Sequence, residues 1–136
     1  MAGRSPASVV YRDERVMCFM GIRPSSPGEC MVIPLVHVDH FTDVDEDLAL
    51  HMTRIGHRVG RRMREVFSPQ RVGYVIHGYG VPHAHLLIVP QHGPHDITSA
   101  RFAQVRDSAV VFSLDGVPVT PRETLDEHAA RLSLID

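Results

Sequence analysis

Along the first third of the chain, apolar and polar positions change over at short intervals. Val9-Val10-Tyr11 and Val16-Met17-Cys18-Phe19-Met20 read as strands flanking the charged stretch Arg12 to Arg15, which predicts a β-hairpin. Arg23-Pro24-Ser25-Ser26-Pro27-Gly28 collects residues with fixed or permissive dihedrals and predicts a turn. Cys30-Met31-Val32-Ile33-Pro34 then reads as a third strand, ended by its proline. From about Asp45 to Phe67 the period changes. Leu48, Met52, Ile55, Val59, Met63 and Val66 recur at intervals of three and four, the apolar stripe of one long helix. Thr42, Asp43 and Asp45 offer capping side chains at its start. Arg54, Arg58, Arg61, Arg62 and Arg64 lie toward its C-terminal end, where the helix dipole favours cations, and Pro69 stops it.

Beyond the helix, Val72 to Ile76 reads as a strand, Gly78-Tyr79-Gly80 as a flexible loop, and His83 to Val89 as a further strand. The tail has weaker signals. Pro94 to Thr98 reads as a loop, Ser99 to Arg106 as helical, Ala109 to Leu114 as β-type and Asp115-Gly116 as a turn. Thr120-Pro121-Arg122-Glu123 has helix-start chemistry ahead of a helix from Thr124 to Leu132. Several strands, one long helix and more strands with short connections predict an α+β domain on an antiparallel sheet of about five strands. The 136 residues fit a single domain, with a core over about 9–90 and a C-terminal extension over 91–136.

Composition removes several kinds of chemistry. No apolar run approaches the roughly 18 residues that span a bilayer, and Met1 to Val10 lacks the apolar core of a secretory signal. A soluble, cytoplasmic protein without membrane contact is the expectation. A net charge of -2 speaks against strong nucleic-acid binding by bulk charge, and the arginines of the long helix read as a solvated face. The chain has no lysine, which excludes a lysine nucleophile, a Schiff base and the phosphate-loop lysine of Walker-type NTPases. Cys18 and Cys30 lack metal-site or redox spacing and read as buried thiols. Ten histidines remain as carriers of chemistry.

Two of them stand in Val81-Pro82-His83-Ala84-His85-Leu86-Leu87-Ile88-Val89-Pro90. On a strand, His83, His85, Leu87 and Val89 project to one side, and Ala84, Leu86 and Ile88 to the other, where an apolar face can pack on a core helix. Upstream, Gly78-Tyr79-Gly80 allows close backbone approach to a ligand, and its amides offer a small anion-binding concavity. An imidazole beside phosphorus can attack it and form a covalent intermediate that water removes. In that reading His85 attacks and His83 orients it. Two other readings stay open: a metal site completed by His37, His77 or His92, and histidines with a structural role alone. His40, His51, His57 and His128 read as surface residues, and His92 and His95 as loop residues.

At these residues the chain resembles the histidine-triad (HIT) superfamily of nucleotide hydrolases and transferases, which carries His-x-His-x-His followed by apolar residues. The resemblance covers about Val9 to Pro90. Its anchors are Phe19-Met20-Gly21-Ile22-Arg23-Pro24, the Pro27-Gly28 turn, Val32-Ile33-Pro34-Leu35-Val36-His37, and Val81-Pro82-His83-Ala84-His85. It implies a HIT-like fold paired with a second copy into a ten-stranded sheet, hence a homodimer. It also implies a nucleotide ligand, such as a nucleoside monophosphate or a phosphate-linked derivative, and no metal or other cofactor.

By the same resemblance His85 is the nucleophile toward the α-phosphorus of a phosphoanhydride or phosphoramidate, His83 orients it and His37 supports it. Phe19 and Ile22 would line the base and ribose pocket, His77 stands near ribose and nucleophile, and Gly80 and Val81 occupy the phosphate-facing loop. The chain departs from the pattern at Leu87, where the third triad histidine stands, and at Gly21, where many members place a carboxylate for the ribose hydroxyls. Leu87 can neither donate a proton nor bond to phosphate, so a nucleotide-binding or sensor protein with weak or no turnover is the alternative.

Overall fold

The computed structural model describes residues 7–97, 103–113 and 116–134. In chain order it contains β1 (Val9–Arg12), β2 (Val16–Met20), β3 (Cys30–Pro34), a 3-10 turn (Phe41–Asp43), α1 (Glu46–Phe67), β4 (Arg71–Val75), β5 (Leu86–Gln91), β6 (Ala103–Arg106), β7 (Ala109–Phe112) and α2 (Arg122–Leu132). The first five strands form one sheet in the order β1-β2-β3-β5-β4, with every neighbouring pair antiparallel. The α+β class, the five-stranded sheet and the long helix agree with the sequence pattern.

Local chemistry accounts for the elements. In the β1–β2 turn the Asp13 carboxylate accepts the backbone N–H groups of Arg15 (2.7 Å) and Val16 (2.9 Å), a side-chain substitute for a backbone turn. Asp45 is the N-cap of α1, but its side chain makes no capping hydrogen bond. The start of the helix therefore draws on the dipole's attraction for Glu46 and Asp47. At the other end Ser68 adopts a left-handed conformation (φ 49°), and Pro69 follows it.

The core lies between α1 and one face of the sheet. Leu48, Met52, Ile55, Val59 and Met63 meet Val10, Val16, Cys18, Met20, Cys30, Val32, Leu86 and Ile88 there. Both cysteines are completely buried, as expected. Gly56 and Gly60 let the helix approach closely. A Cβ on Gly56 would stand 2.8 Å from Leu86 Cδ2, and one on Gly60 would collide with the Tyr74 hydroxyl.

The same core includes Leu125, Ala129 and Leu132 of α2, so it extends well past Pro90. Hydrogen bonds tie α2 down on two sides. Arg122 donates to the Ser8 hydroxyl (2.8 Å), Ser8 donates to Asp126 (2.6 Å), and Arg62 of α1 donates to the Arg131 carbonyl (2.9 Å).

The helical reading of Ser99 to Arg106 is corrected over 103–106, which is strand β6; its first part falls at 99–102, outside the described residues. β6 pairs with β7 as a two-stranded ribbon. The connecting Asp107 and Ser108 both have positive φ (51° and 65°), the backbone a tight two-residue hairpin turn requires.

Candidate functional site

The predicted strand from His83 is also corrected, because β5 begins at Leu86. Val32–Leu86 is the last partnered position of the β3–β5 ladder. Before it, the chain lies against the segment after β3, with the Ala84 N–H bonded to the Val38 carbonyl at 2.7 Å. His83 and His85 therefore sit in an extended lead-in, and hydrogen bonds hold them in place of strand alternation. The apolar positions keep their expected place: Ala84, Leu86 and Ile88 all face the helical core.

Four imidazoles gather here, and their partners fix where the ring protons lie. The His83 Nε2 is 2.8 Å from the Pro34 carbonyl oxygen. A carbonyl can only accept, so His83 carries its proton on Nε2 and, when neutral, presents a lone pair at Nδ1. His37 Nδ1 lies 3.1 Å from that lone pair and donates to it, with the two rings stacked at 5.2 Å. His85 Nδ1 is 2.8 Å from the His83 carbonyl oxygen and donates to it. In the neutral ring, Nε2 is thereby the nitrogen that carries the lone pair. His85 is buried, at 4% exposure, and the His77 ring stands nearly perpendicular to it with centroids 4.9 Å apart. Burial and the neighbouring His85 push the His77 pKa down.

The sheet face turned away from α1 continues from this cluster. Phe19, Met31, Leu87 and Val75 are register partners across β2, β3, β5 and β4, forming one apolar row outside the main core. Leu87 and Phe19 are both half-buried in it, so the site's missing third histidine and an expected base-pocket residue share a row. Ile22 is 50% exposed at the end of β2, with its carbonyl accepting the Thr120 N–H at 2.8 Å. Gly80 (φ 99°) and Val81 are exposed in the loop ahead of the histidines. The Tyr79 N–H of that loop is given to His77 Nδ1 (3.3 Å), so one amide expected for anion binding is already committed.

One acidic residue escaped the reading of the sequence. Glu29 is buried, and its Oε2 stands 3.2 Å from where a Gly21 Cβ would be, across the backbone bond from Gly21 N–H to the Glu29 carbonyl. Burial raises its pKa, against the opposing effect of the Ser25 hydroxyl and N–H. The glycine at 21 is thus the space that a carboxylate from the facing residue fills. A charged residue directly after the Pro27-Gly28 turn was the available signal.

The other histidines divide. His92 and His95 are exposed loop residues, with the His92 and Gly93 N–H groups bonded to Asp96. His40 and His57 are exposed. The surface reading of His51 and His128 is corrected. His51 pairs with Asp13 at 2.6 Å with only 15% of its side chain exposed, and His128 packs edge-on against Phe67 at 5.0 Å. Among the described residues, no three His, Cys, Asp or Glu side chains converge as a chelating group.

The fold and the histidine cluster together define a class, and comparison with known proteins agrees. The HIT domain model matches residues 2–108, and the chain belongs to that family. It is 29% identical over 101 residues to "Protein hit" of Bacillus subtilis, covering 71% of this chain and 70% of the relative. Among solved structures, a hypothetical histidine triad nucleotide-binding protein from Sulfolobus tokodaii superposes with a TM-score of 0.72 at 18% identity, over 94% of this chain and 82% of that one. A zinc-bound histidine triad family protein from Mycobacterium smegmatis gives 0.69 at 25% identity, over 96% and 84%.

Proposed function

We propose that the protein binds a nucleoside phosphate on the sheet face beside His85 and cleaves the bond at its α-phosphorus through a covalent His85 intermediate. The observation that carries this reading is the tautomer of His85. With Nδ1–H given to the His83 carbonyl, the free Nε2 lone pair is a nucleophile that needs no base to activate it. His83, itself fixed between Pro34 and His37, holds the ring in place. Phe19 and Ile22 provide the apolar wall for base and ribose, and His77, Gly80 and Val81 border the phosphate. One fold neighbour, the hypothetical protein from Sulfolobus tokodaii, bears the nucleotide-binding name and is in keeping with this ligand class.

The experiment is incubation with dinucleoside polyphosphates and nucleoside phosphoramidates, read by release of a nucleoside monophosphate. His85→Ala is expected to abolish release, and intact-mass analysis of a quenched reaction is expected to show the wild type carrying one nucleotidyl group. Turnover unchanged by the substitution would falsify the mechanism. A second reading, binding or sensing without turnover, draws on half-buried Leu87 in its apolar row. It predicts nucleotide binding in calorimetry with no product. We also propose the homodimer: β1 and β4 are the edge strands of the five-stranded sheet, and joining one such edge to its counterpart in a second copy makes ten strands.

A further inference from the structure

Attack on phosphorus needs a nucleophile, something to stabilise charge on the phosphoryl oxygens, and a fate for the leaving group. These three contributions are separable. His85 Nε2 is the nucleophile under the reading above, on which this inference rests. The row beside it, Phe19, Met31, Leu87 and Val75, is apolar and provides no side-chain donor. The remaining two contributions fall to the other rings of the cluster.

Three of the four ring N–H groups are spent within the protein. His37 Nδ1–H goes to His83 Nδ1, His83 Nε2–H to the Pro34 carbonyl, and His85 Nδ1–H to the His83 carbonyl. His77 is different. It accepts the Tyr79 N–H at Nδ1, so the neutral ring must carry its proton on Nε2. Among the described residues no protein acceptor is shown for that proton. The ring centroids of His77 and His85 are 4.9 Å apart, which brings His77 within reach of a phosphoryl group carried by His85.

A neutral imidazole is a good hydrogen-bond donor and a poor proton donor. Partial burial and the neighbouring His85 disfavour the second ring proton that would make it an acid, and they outweigh the opposite effect of the Tyr79 contact. We propose that His77, as its Nε2–H tautomer, donates a hydrogen bond to a non-bridging oxygen of the phosphoryl group attacked by His85, and that the site consequently cleaves leaving groups that depart as anions, such as phosphate or polyphosphate, and discriminates against amines.

The step balances without a proton donor at position 87. The His85 Nε2 lone pair forms the N–P bond, the P–O bond of the anhydride breaks, and its electron pair leaves on the departing phosphate. Water then forms a new P–O bond and loses its proton to solvent, and the N–P electron pair returns to His85. An amine leaving group must acquire a proton as the P–N bond breaks, and Leu87 has none to give.

The test uses the full chain with two substrates that share one nucleoside and differ in the group leaving from the α-phosphorus, a polyphosphate or an alkylamine. The wild type is expected to favour the anhydride by about 10²-fold or more in kcat/KM, on the scale of general-acid catalysis. His77→Phe is expected to lower kcat on the anhydride by about 10²-fold, the scale of losing one oxyanion donor, with KM little changed. His77→Asn, which restores an N–H donor, should recover part of the loss. Leu87→His should raise amine release selectively, by about 10-fold or more.

An independent readout is the histidine ring nitrogen NMR spectrum of the protein without ligand, expected to show the Nε2–H tautomer at His77 and the Nδ1–H tautomer at His85. The opposite tautomer at His77, turnover within twofold of wild type in His77→Phe, or equal cleavage of both substrates overturns the inference while leaving covalent catalysis by His85 standing. Absence of turnover on both substrates overturns both.

Discussion

Replacing Gly56 with alanine puts two effects of opposite sign at one position, and the structure decides between them. In an exposed helix Gly→Ala gains about 1 kcal/mol through backbone entropy and solvation. Gly56 is buried, however, and its new Cβ would stand 2.8 Å from Leu86 Cδ2 and 3.7 Å from Ile88 Cδ1. Leu86 and Ile88 are themselves buried at 4% and 0% exposure in the face that α1 covers, so neither has solvent to rotate into. Overpacking of this kind costs about 1–3 kcal/mol. The net expectation is a loss of about 1 kcal/mol, or roughly 3–5 °C in Tm for a domain of this size. Gly60→Ala is the internal control. Its Cβ meets the hydroxyl end of Tyr74, a 45% exposed side chain beside an open cleft of about 300 Å3, so the neighbour can yield. Thermal or urea unfolding of both variants should rank Gly56→Ala below Gly60→Ala. A Gly56→Ala protein as stable as the wild type would show that α1 does not approach β5 this closely. Because Leu86 follows His85 directly, the same variant is expected to lose nucleotidyl turnover as well.

Leu132 is fully buried in α2, and Leu132→Ala is expected to cost about 2–5 kcal/mol in urea unfolding; a loss below 1 kcal/mol would mean α2 is not part of the core. Asp13 titrates below its ordinary range: burial opposes this but is outweighed by bonds from the Arg15 and Val16 N–H groups, His51 and the Tyr11 hydroxyl. A carboxylate lowered in the folded state contributes stability above its unfolded pKa and loses it as pH falls. The wild type should therefore exceed Asp13→Asn in Tm at neutral pH, with the gap closing as pH drops below about 4; a gap independent of pH would refute the linkage. Glu29 shifts the other way. Its raised pKa means that the folded state binds the proton more tightly, so stability falls as pH rises through and above the usual glutamate range. Glu29→Gln should raise Tm at pH 8 and lose that advantage toward pH 4, and a constant difference across that range would rule out the buried charge as its source.

What the sequence disclosed followed the range over which its signals act. Period-two and period-3.6 patterns are local, so β1, β2, β3 and α1 could be read to within a residue or two. β6 was misread because its turn depends on positive φ at Asp107 and Ser108, and Ser108 gives little sign of that preference. The His83–His85 spacing signalled a site but suggested the wrong mechanism of placement. Alternation predicts two side chains on a strand face, whereas the observed bonds run to the Pro34 and His83 carbonyls and to His37, partners that only the fold reveals.

The same distinction governs the two departures from the family pattern. Leu87 and Gly21 look like simple losses when each is read at its own position. In three dimensions the space at Gly21 receives the Glu29 carboxylate from the facing residue, and the histidine cluster contains His77, whose ring proton meets no acceptor among the described residues. The two cases are not equivalent. A carboxylate acts through its charge and acceptor oxygens, so Glu29 brings the same chemical group to the space from a different backbone position. A hydrogen bond and a proton are different deliveries, and a neutral His77 can make the first without making the second. Substitution at position 87 therefore separates binding of the phosphoryl oxygens from protonation of the leaving group, and the leaving group is where the chemistry of this chain should diverge from that of a complete histidine triad.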